Sequence, residues 1–221
     1  MHLVINTLNS ISSRYAPSRI LSFNSAHVFK TLQLIDSEGY VSRTLLIKEL
    51  GLGEGSIKTL IKHLKMQKMV TTTNKGTVMS QRGRKIFEEM SRHICAEMPV
   101  PKSTISISEY NYAILLRSLK VDIKQGVEQR DVAIKMGAKG ATTLIYNEGK
   151  FLIPGSKFNA LRGEKEIEKI LKNNLKPINN DIVVIGSDDL SYITAELASK
   201  AAALHTLENH KHHTKMELVT N

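Results

Sequence analysis

Residues 50–79 read LGLGEGSIKTLIKHLKMQKMVTTTNKGTVM, and this stretch decides the fold of the first half. Ile57, Leu60, Ile61 and Leu64 fall at i, i+3, i+4 and i+7, the apolar stripe of a helix over residues 54–67. The opposite face carries Ser56, Lys58, Thr59, Lys62, His63 and Lys65, with His63 expected at the surface. Gly51-Leu52-Gly53 makes the turn into this helix. Beyond it, the β-branched runs at 69–73 and 77–79 flank Asn74-Lys75-Gly76, the signature of a short hairpin.

Working outward, a helix is expected to start after Asn24 or Ser25, either of which can cap it. It carries Val28, Leu32 and Ile35 and stops at Glu38-Gly39. Ser42 offers the cap of a second helix containing Leu45, Leu46 and Leu50. After the hairpin, a fourth helix runs from about Gln81 through Ile86, Phe87 and Met90 to about Cys95. Three helices, a two-stranded ribbon and a further helix is the order of a winged helix-turn-helix.

The chain has 221 residues and a formal net charge of +10. That length suits one large or two small domains. Residues 1–100 hold 14 Lys+Arg against 7 Asp+Glu, whereas residues 101–221 hold 17 against 14. Within 53–85 there are eight basic residues and one acid, Glu54. The positive charge thus sits on the same segment as the helix-turn-helix and ribbon, which points to a polyanion as partner. A recognition helix enters the major groove of duplex DNA with its first turns. Gly55 and Ser56 keep that end slim. Lys58, Thr59, Lys62 and Lys65 stand on the open face, while Lys75 at the hairpin tip, Arg82 and Arg84 are placed to grip flanking phosphates. No Arg, Asn or Gln lies on the open face of the first two turns, so bidentate base readout from that face is not expected.

Ala16-Pro17-Ser18-Arg19, Ser22-Phe23, Ala26-His27-Val28 and the run from Leu50 to Leu60 resemble an archaeal family. Its members join a winged helix-turn-helix to a C-terminal domain of unknown function, DUF4443. Arg130-Asp131-Val132-Ala133-Ile134 and Gly137-Ala138-Lys139-Gly140-Ala141 are similar to the central motif of that domain. The resemblance spans residues 15–205. It implies a transcription regulator, and it brings no ligand and no catalytic residues with it. The first half also resembles the DNA-binding part of sugar-responsive bacterial regulators, whose sensor the second half does not resemble.

The second half follows MPVPKST at 98–104, where two of the five prolines set the expected domain junction. A strand is expected over 109–119, a helix over 127–136, and strands at 141–146 and 150–153 around Asn147-Glu148-Gly149. An amphipathic helix over 164–175 follows, then DIVVI at 181–185, a strand apolar on both faces, and an Ala-rich helix over 191–207. This β-α-β-β-α-β-α order suggests a ferredoxin-like unit, with another open α/β topology as the alternative. The expected fold class is therefore α/β (α+β), a winged helix-turn-helix joined to a small α/β domain. In domain terms, 1–24 is an extension, 25–98 the winged helix, 104–207 the α/β domain and 208–221 a polar tail.

Candidate effector-binding residues are Arg130, Asp131, Lys139, Ser187, Asp188 and Asp189, grouped around a helix end and a strand-to-helix turn. The plainer reading is that Asp189 or Ser191 caps the last helix and that Arg130 and Asp131 form a surface pair. The alanines at 195, 198, 201 and 202 suit either internal packing or a dimer contact. His205, His210, His212 and His213 lack a rigid scaffold, so no metal is expected. The single cysteine, Cys95, rules out an internal disulfide framework. No nucleotide-binding or hydrolase motif appears, and no cofactor or enzymatic activity is expected. No apolar run is long enough to span a membrane, and the N-terminus lacks a secretory pattern. The expected protein is a cytoplasmic, homodimeric regulator binding double-stranded DNA, with a small-molecule effector, no metal and no membrane contact. Two alternatives stay open: a winged-helix module for protein or RNA, and an enzyme using Asp188 or Asp189 as acid/base.

Overall fold

The computed structural model describes residues 2–13, 21–106, 108–117, 123 and 125–208. The chain divides into two compact units, Met1–Ser91 and Arg92–Asn221. The division falls upstream of the prolines expected to mark it.

The first unit contains helices α1 (His2–Ile11), α2 (Ser25–Glu38), α3 (Arg43–Leu50) and α4 (Glu54–Met66), a hairpin of β1 (Val70–Thr73) and β2 (Gly76–Met79), and α5 (Gln81–Ser91). The caps read from the sequence are in place. Asn24 accepts from the Ala26 N–H at 3.0 Å, and Ser42 accepts from the Leu45 N–H at 3.1 Å. The apolar stripe of α4 is buried at Ile57, Leu60 and Leu64. Helix α1 lies in the segment read as an extension. Its Ile5, Leu8 and Ile11 are buried, and it packs against α2, α4 and α5.

His63 is buried, not at the surface as expected. Its Nδ1–H donates to the Ile11 carbonyl at 2.7 Å, and its ring meets the Phe23 ring edge-on at 5.6 Å. The end of α1 covers that side of α4. The fourth helix also ends earlier than expected, at Ser91. Ile94–Pro99 forms a strand, β3, of the second unit, so Cys95 stands on a strand rather than a helix.

The second unit continues with β4 (Tyr110–Leu116), α6 (Val127–Lys135), β5 (Gly140–Asn147), β6 (Lys150–Leu152), α7 (Lys165–Leu175), β7 (Ile182–Asp188) and α8 (Tyr192–Glu208). The sheet order is β3-β4-β7-β5-β6, and every neighbouring pair is antiparallel. The fold is α+β, but its strand order is not ferredoxin-like. In a ferredoxin-like sheet the hairpin partner slots between the two strands joined by the first helix. Here β7 fills that slot, between β4 and β5. The sequence accounts for the exchange. All seven residues of β7 are buried, as a central strand requires, whereas β6 alternates exposed, buried and half-buried residues and suits an edge.

Ala113, Leu115, Val183 and Ile185 point to one face of the sheet, where they join Ile167, Leu171 and Leu175 of α7. The other face carries α8, which rests on β4 and β7 and is flanked by α6. Gly186 lets α8 approach closely. A Cβ there would lie 2.4 Å from Ser199 Oγ and 2.6 Å from the Ala195 carbonyl oxygen. The Ser199 hydroxyl accepts from the Gly186 N–H at 2.7 Å and donates to the Tyr112 carbonyl at 2.6 Å. The alanines at 195, 198, 201 and 202 are all buried within this one chain.

The cap of α2 carries a pH dependence. His27 Nδ1 lies 3.3 Å from the Asn24 backbone nitrogen and 3.0 Å from Asn24 Oδ1, so it accepts from the N–H when unprotonated and donates to the side-chain oxygen when it carries a proton. Burial, aided by the nearby Lys30 charge, lowers the His27 pKa from 6.5 to about 4. Between those values the unfolded chain takes up a proton that the folded unit refuses, so stability falls as pH falls. The loss is expected to total about 3 kcal/mol for the first unit by the lower end of that window. Gln at this position keeps the reciprocal cap without titrating. Denaturant titrations across the window should show a steep pH dependence in the wild type and a flatter one in His27→Gln.

Candidate nucleic-acid interface

The hairpin is fixed by a third strand segment. Val41, between α2 and α3, exchanges two backbone hydrogen bonds with Thr77 of β2, each 2.9 Å. Gly76 has φ +144°, and a Cβ on it would lie 2.6 Å from the Val41 carbonyl oxygen. Only glycine permits both that conformation and that approach. At the base of the hairpin, Ser80 Oγ donates to the Lys68 carbonyl at 2.6 Å and accepts from the Gly83 N–H at 3.0 Å, opening α5.

This anchoring leaves a groove of about 370 Å³ lined by α4, the hairpin and the first turn of α3. Its cations are Arg43, Lys58, Lys62 and Lys65, set around Ile61, Met66, Thr72 and Thr77. Met66 is 52% exposed, so the groove offers solvent an apolar surface among its charges. The structure therefore brings Lys58, Lys62 and Lys65 together along one helix face. Gly55 is exposed, and a Cβ there would meet nothing within 4 Å. Ser56 is half-buried beside it. The Thr59 hydroxyl donates to the Gly55 carbonyl at 3.0 Å. Lys75 is exposed at the hairpin turn, and Arg82 is exposed on α5. Arg84 is engaged by Asp36 of α2 at 3.0 Å.

Sequence reasoning missed Arg43. It stands in the first turn of a helix read only for its apolar residues, and the turn at 51–53 brings it to the groove. Two ion pairs modulate the local charge. Lys58 Nζ lies 2.8 Å from Glu54 Oε1, and that contact holds the Glu54 carboxyl below the usual carboxylate range. Buried Lys30 pairs with Glu49 at 3.9 Å.

In the second unit, the candidate effector residues lie about the end of β7. Lys139 Nζ is 3.3 Å from Asp189 Oδ2, and this contact holds the Asp189 carboxyl below its ordinary range, with the Ser108 hydroxyl and Glu109 N–H assisting. Asp188 is buried and accepts from the N–H groups of Leu190 and Ser191 at 3.1 and 2.8 Å. Ser191 Oγ accepts from the Thr194 N–H at 3.2 Å and caps α8, one of the two capping residues expected. Ser187 is buried, and its carbonyl accepts from the Lys139 N–H at 3.0 Å. Arg130 and Asp131 form an exposed pair at 3.5 Å. The residues from 137 to 141 and from 187 to 189 thus meet, while Arg130 and Asp131 pair with each other on α6.

A buried polar cluster escaped the sequence reading. Lys200 of α8 is fully buried, 2.5 Å from Glu97 of β3 and 3.3 Å from Glu196. Its ammonium lies 5.5 Å from the centre of the Tyr112 ring. Burial, then the two glutamates, pushes the Tyr112 phenol far above its ordinary value. Cys95 donates to the Arg92 carbonyl at 3.3 Å, and burial raises its pKa, which disfavours the reactive thiolate. Among the described residues, no group of three or more His, Cys, Asp or Glu could hold a metal, and no helix is long and apolar enough to cross a membrane. His210, His212 and His213 lie outside the described residues.

Residues 107–207 match the family model of a domain of unknown function, DUF4443. The match runs from β4 to α8 and agrees with the resemblance of the second half. A solved structure, the hypothetical protein PH0730 from Pyrococcus horikoshii OT3, is similar with a TM-score of 0.68 and 21% identity. The similarity covers 84% of this chain and 93% of that one, and it is a likeness of fold. No curated protein matches the chain.

The two glycines of this region should respond in opposite ways. Gly76→Ala is expected to destabilise the first unit by at least about 2 kcal/mol, because a strained backbone and a clash with backbone coincide. Gly55→Ala, in a helix with open space around it, should be neutral or gain about 0.5–1 kcal/mol. Denaturant unfolding of both variants checks this.

Proposed function

We propose that this protein is a DNA-binding transcription regulator whose first unit is a winged helix-turn-helix. The observation that carries this reading is the convergence of Arg43, Lys58, Lys62 and Lys65 on one groove beside an anchored hairpin. A duplex whose major groove receives α4 would bring its sugar-phosphate backbone over that groove, and the hairpin tip with Lys75 would reach the flanking phosphates. Ile61 and Met66 would meet sugar rings there, and the lysines would displace counterions. The element order and the cationic segment support the same reading.

The second unit serves dimerisation, effector sensing or both in this proposal. Since the alanine stripe of α8 is buried within its own chain, a dimer would use another surface. Lys139 with Asp189, at the end of the central strand, remains the candidate effector position. The reading is non-enzymatic and cytoplasmic, with no cofactor.

Salt titration of binding to a labelled duplex tests it. The logarithm of the binding constant should fall linearly with the logarithm of salt concentration. Lys62→Ala and Lys65→Ala should each reduce the slope by about one. Lys58→Ala should reduce it by less, because Glu54 already holds that ammonium. Absence of duplex binding at low salt, or capture of RNA or a protein through the same lysines in its place, would overturn the proposal.

A further inference from the structure

A carboxylate stands where a polyanion is to dock. Glu54 opens α4, and its side chain is 62% exposed. It is bonded to Lys58, one of the four cations of the groove, and Arg43 from the same groove also acts on it. Against phosphate this arrangement is unfavourable twice over. The carboxylate repels the phosphate directly, and it neutralises a lysine that would otherwise attract it. An acid at a helix start does favour the helix dipole, so the position has a purely structural use as well.

The surroundings favour a second role. Gly53 and Gly55 flank Glu54, and a Cβ on either would meet nothing within 4 Å, so the tip of α4 is slender. The first two turns offer no Arg, Asn or Gln on their open face. In the major groove a carboxylate finds one kind of favourable partner, the exocyclic amino group of a base, above all N4 of cytosine. Lys58 keeps the carboxylate ionised and fixes its direction.

We propose that Glu54 is the specificity-determining residue of the interface, accepting a hydrogen bond from a cytosine amino group in the major groove. This inference rests on the duplex-binding reading above. Sites with cytosine at the right place satisfy the carboxylate. Other sequences leave it desolvated and facing negative charge, so it acts by excluding them. The lysines then supply affinity that does not depend on sequence, and Glu54 filters it.

The test uses the full chain, a fluorescently labelled duplex of arbitrary sequence, and selection from a randomised duplex pool. Glu54→Gln should bind the arbitrary duplex more tightly, with a salt slope steeper by about one, since Lys58 is released. The wild type should select cytosine at one position, with a preference of about five- to a hundredfold. Glu54→Gln should exchange that preference for adenine, the base that Gln recognises through N6 and N7. Glu54→Asp keeps the charge but shortens the reach, so it should lose the preference without gaining affinity. Lys62→Ala should weaken all sequences alike and retain the preference. Unchanged affinity, slope and selected sequence in Glu54→Gln, with circular dichroism showing it folded, would overturn the inference alone. A wild type that binds no duplex at low salt would overturn the regulator reading and this inference together.

Discussion

Two backbone hydrogen bonds between Val41 and Thr77 set the geometry on which the first unit's surface depends. A two-stranded hairpin is marginal by itself in water, and nothing in β1 and β2 alone would fix its position beside α4. The Val41 pairing converts it into the edge of a minimal three-stranded arrangement. That fixes the distance from the hairpin to the helix. The groove exists because this distance is held. The requirement for glycine at 76 follows, since any side chain would displace the Val41 carbonyl. The cations are thus arranged by a contact that carries no charge.

The charge of the first unit is also less free than its composition suggests. Lys30 is buried against Glu49, Arg84 is held by Asp36, and Lys58 by Glu54. The Lys30 pair lies within the folded unit. The Arg84 pair joins α5 to α2. The Glu54 pair alone among these lies at the groove. The two exposed pairs, of Arg84 and Lys58, contribute little to stability. For the duplex binding proposed above their consequence is larger, because each withdraws a cation from an approaching phosphate. The net charge therefore overstates the attraction, and the arrangement of Arg43, Lys62 and Lys65 is the better measure of it.

Most elements were legible because each carries a local signal. Asn24 and Ser42 cap helices, the stripe of α4 has an unbroken period, and the first four residues of β7, Ile182 to Ile185, are all apolar. What was missed depends on distant contacts. The exception is α1, whose periodic Ile5, Leu8 and Ile11 are a local signal within a segment read as an extension, and nothing local says that its end covers His63 fifty-two residues away. Ile94 and Cys95 continue the helical phase of Met90, so the start of β3 reads as more of α5. Its identity as a strand comes from pairing with β4, which no window of sequence contains. Arg43 was passed over for a similar reason, since its place at the groove depends on how α3 packs against α4. The strand order of the second unit is likewise a property of the assembled sheet. The apolar character of DIVVI implied burial on both faces, and a central place follows from that, but the ferredoxin-like expectation had assigned that slot to the hairpin partner.

The missed strand changes what counts as the second unit. The matched region begins at residue 107, after β3, yet Lys200 within it takes its shortest contact from Glu97 outside it. A fully buried ammonium is costly unless well paired, and Glu196 alone, at 3.3 Å, is the more distant of its two carboxylates. Such a pair is weak evidence for stability but strong evidence for register. It requires α8 to lie where one residue of β3 can reach it, and an apolar contact would tolerate sliding that this one does not. Gly186 and Ser199 fix the same helix against β7 and β4 from the other direction. Between them, these contacts tie α8 to three adjacent strands. The segment 94–99, expected to hold the end of a helix and the start of a linker, is thus a structural part of the α+β unit.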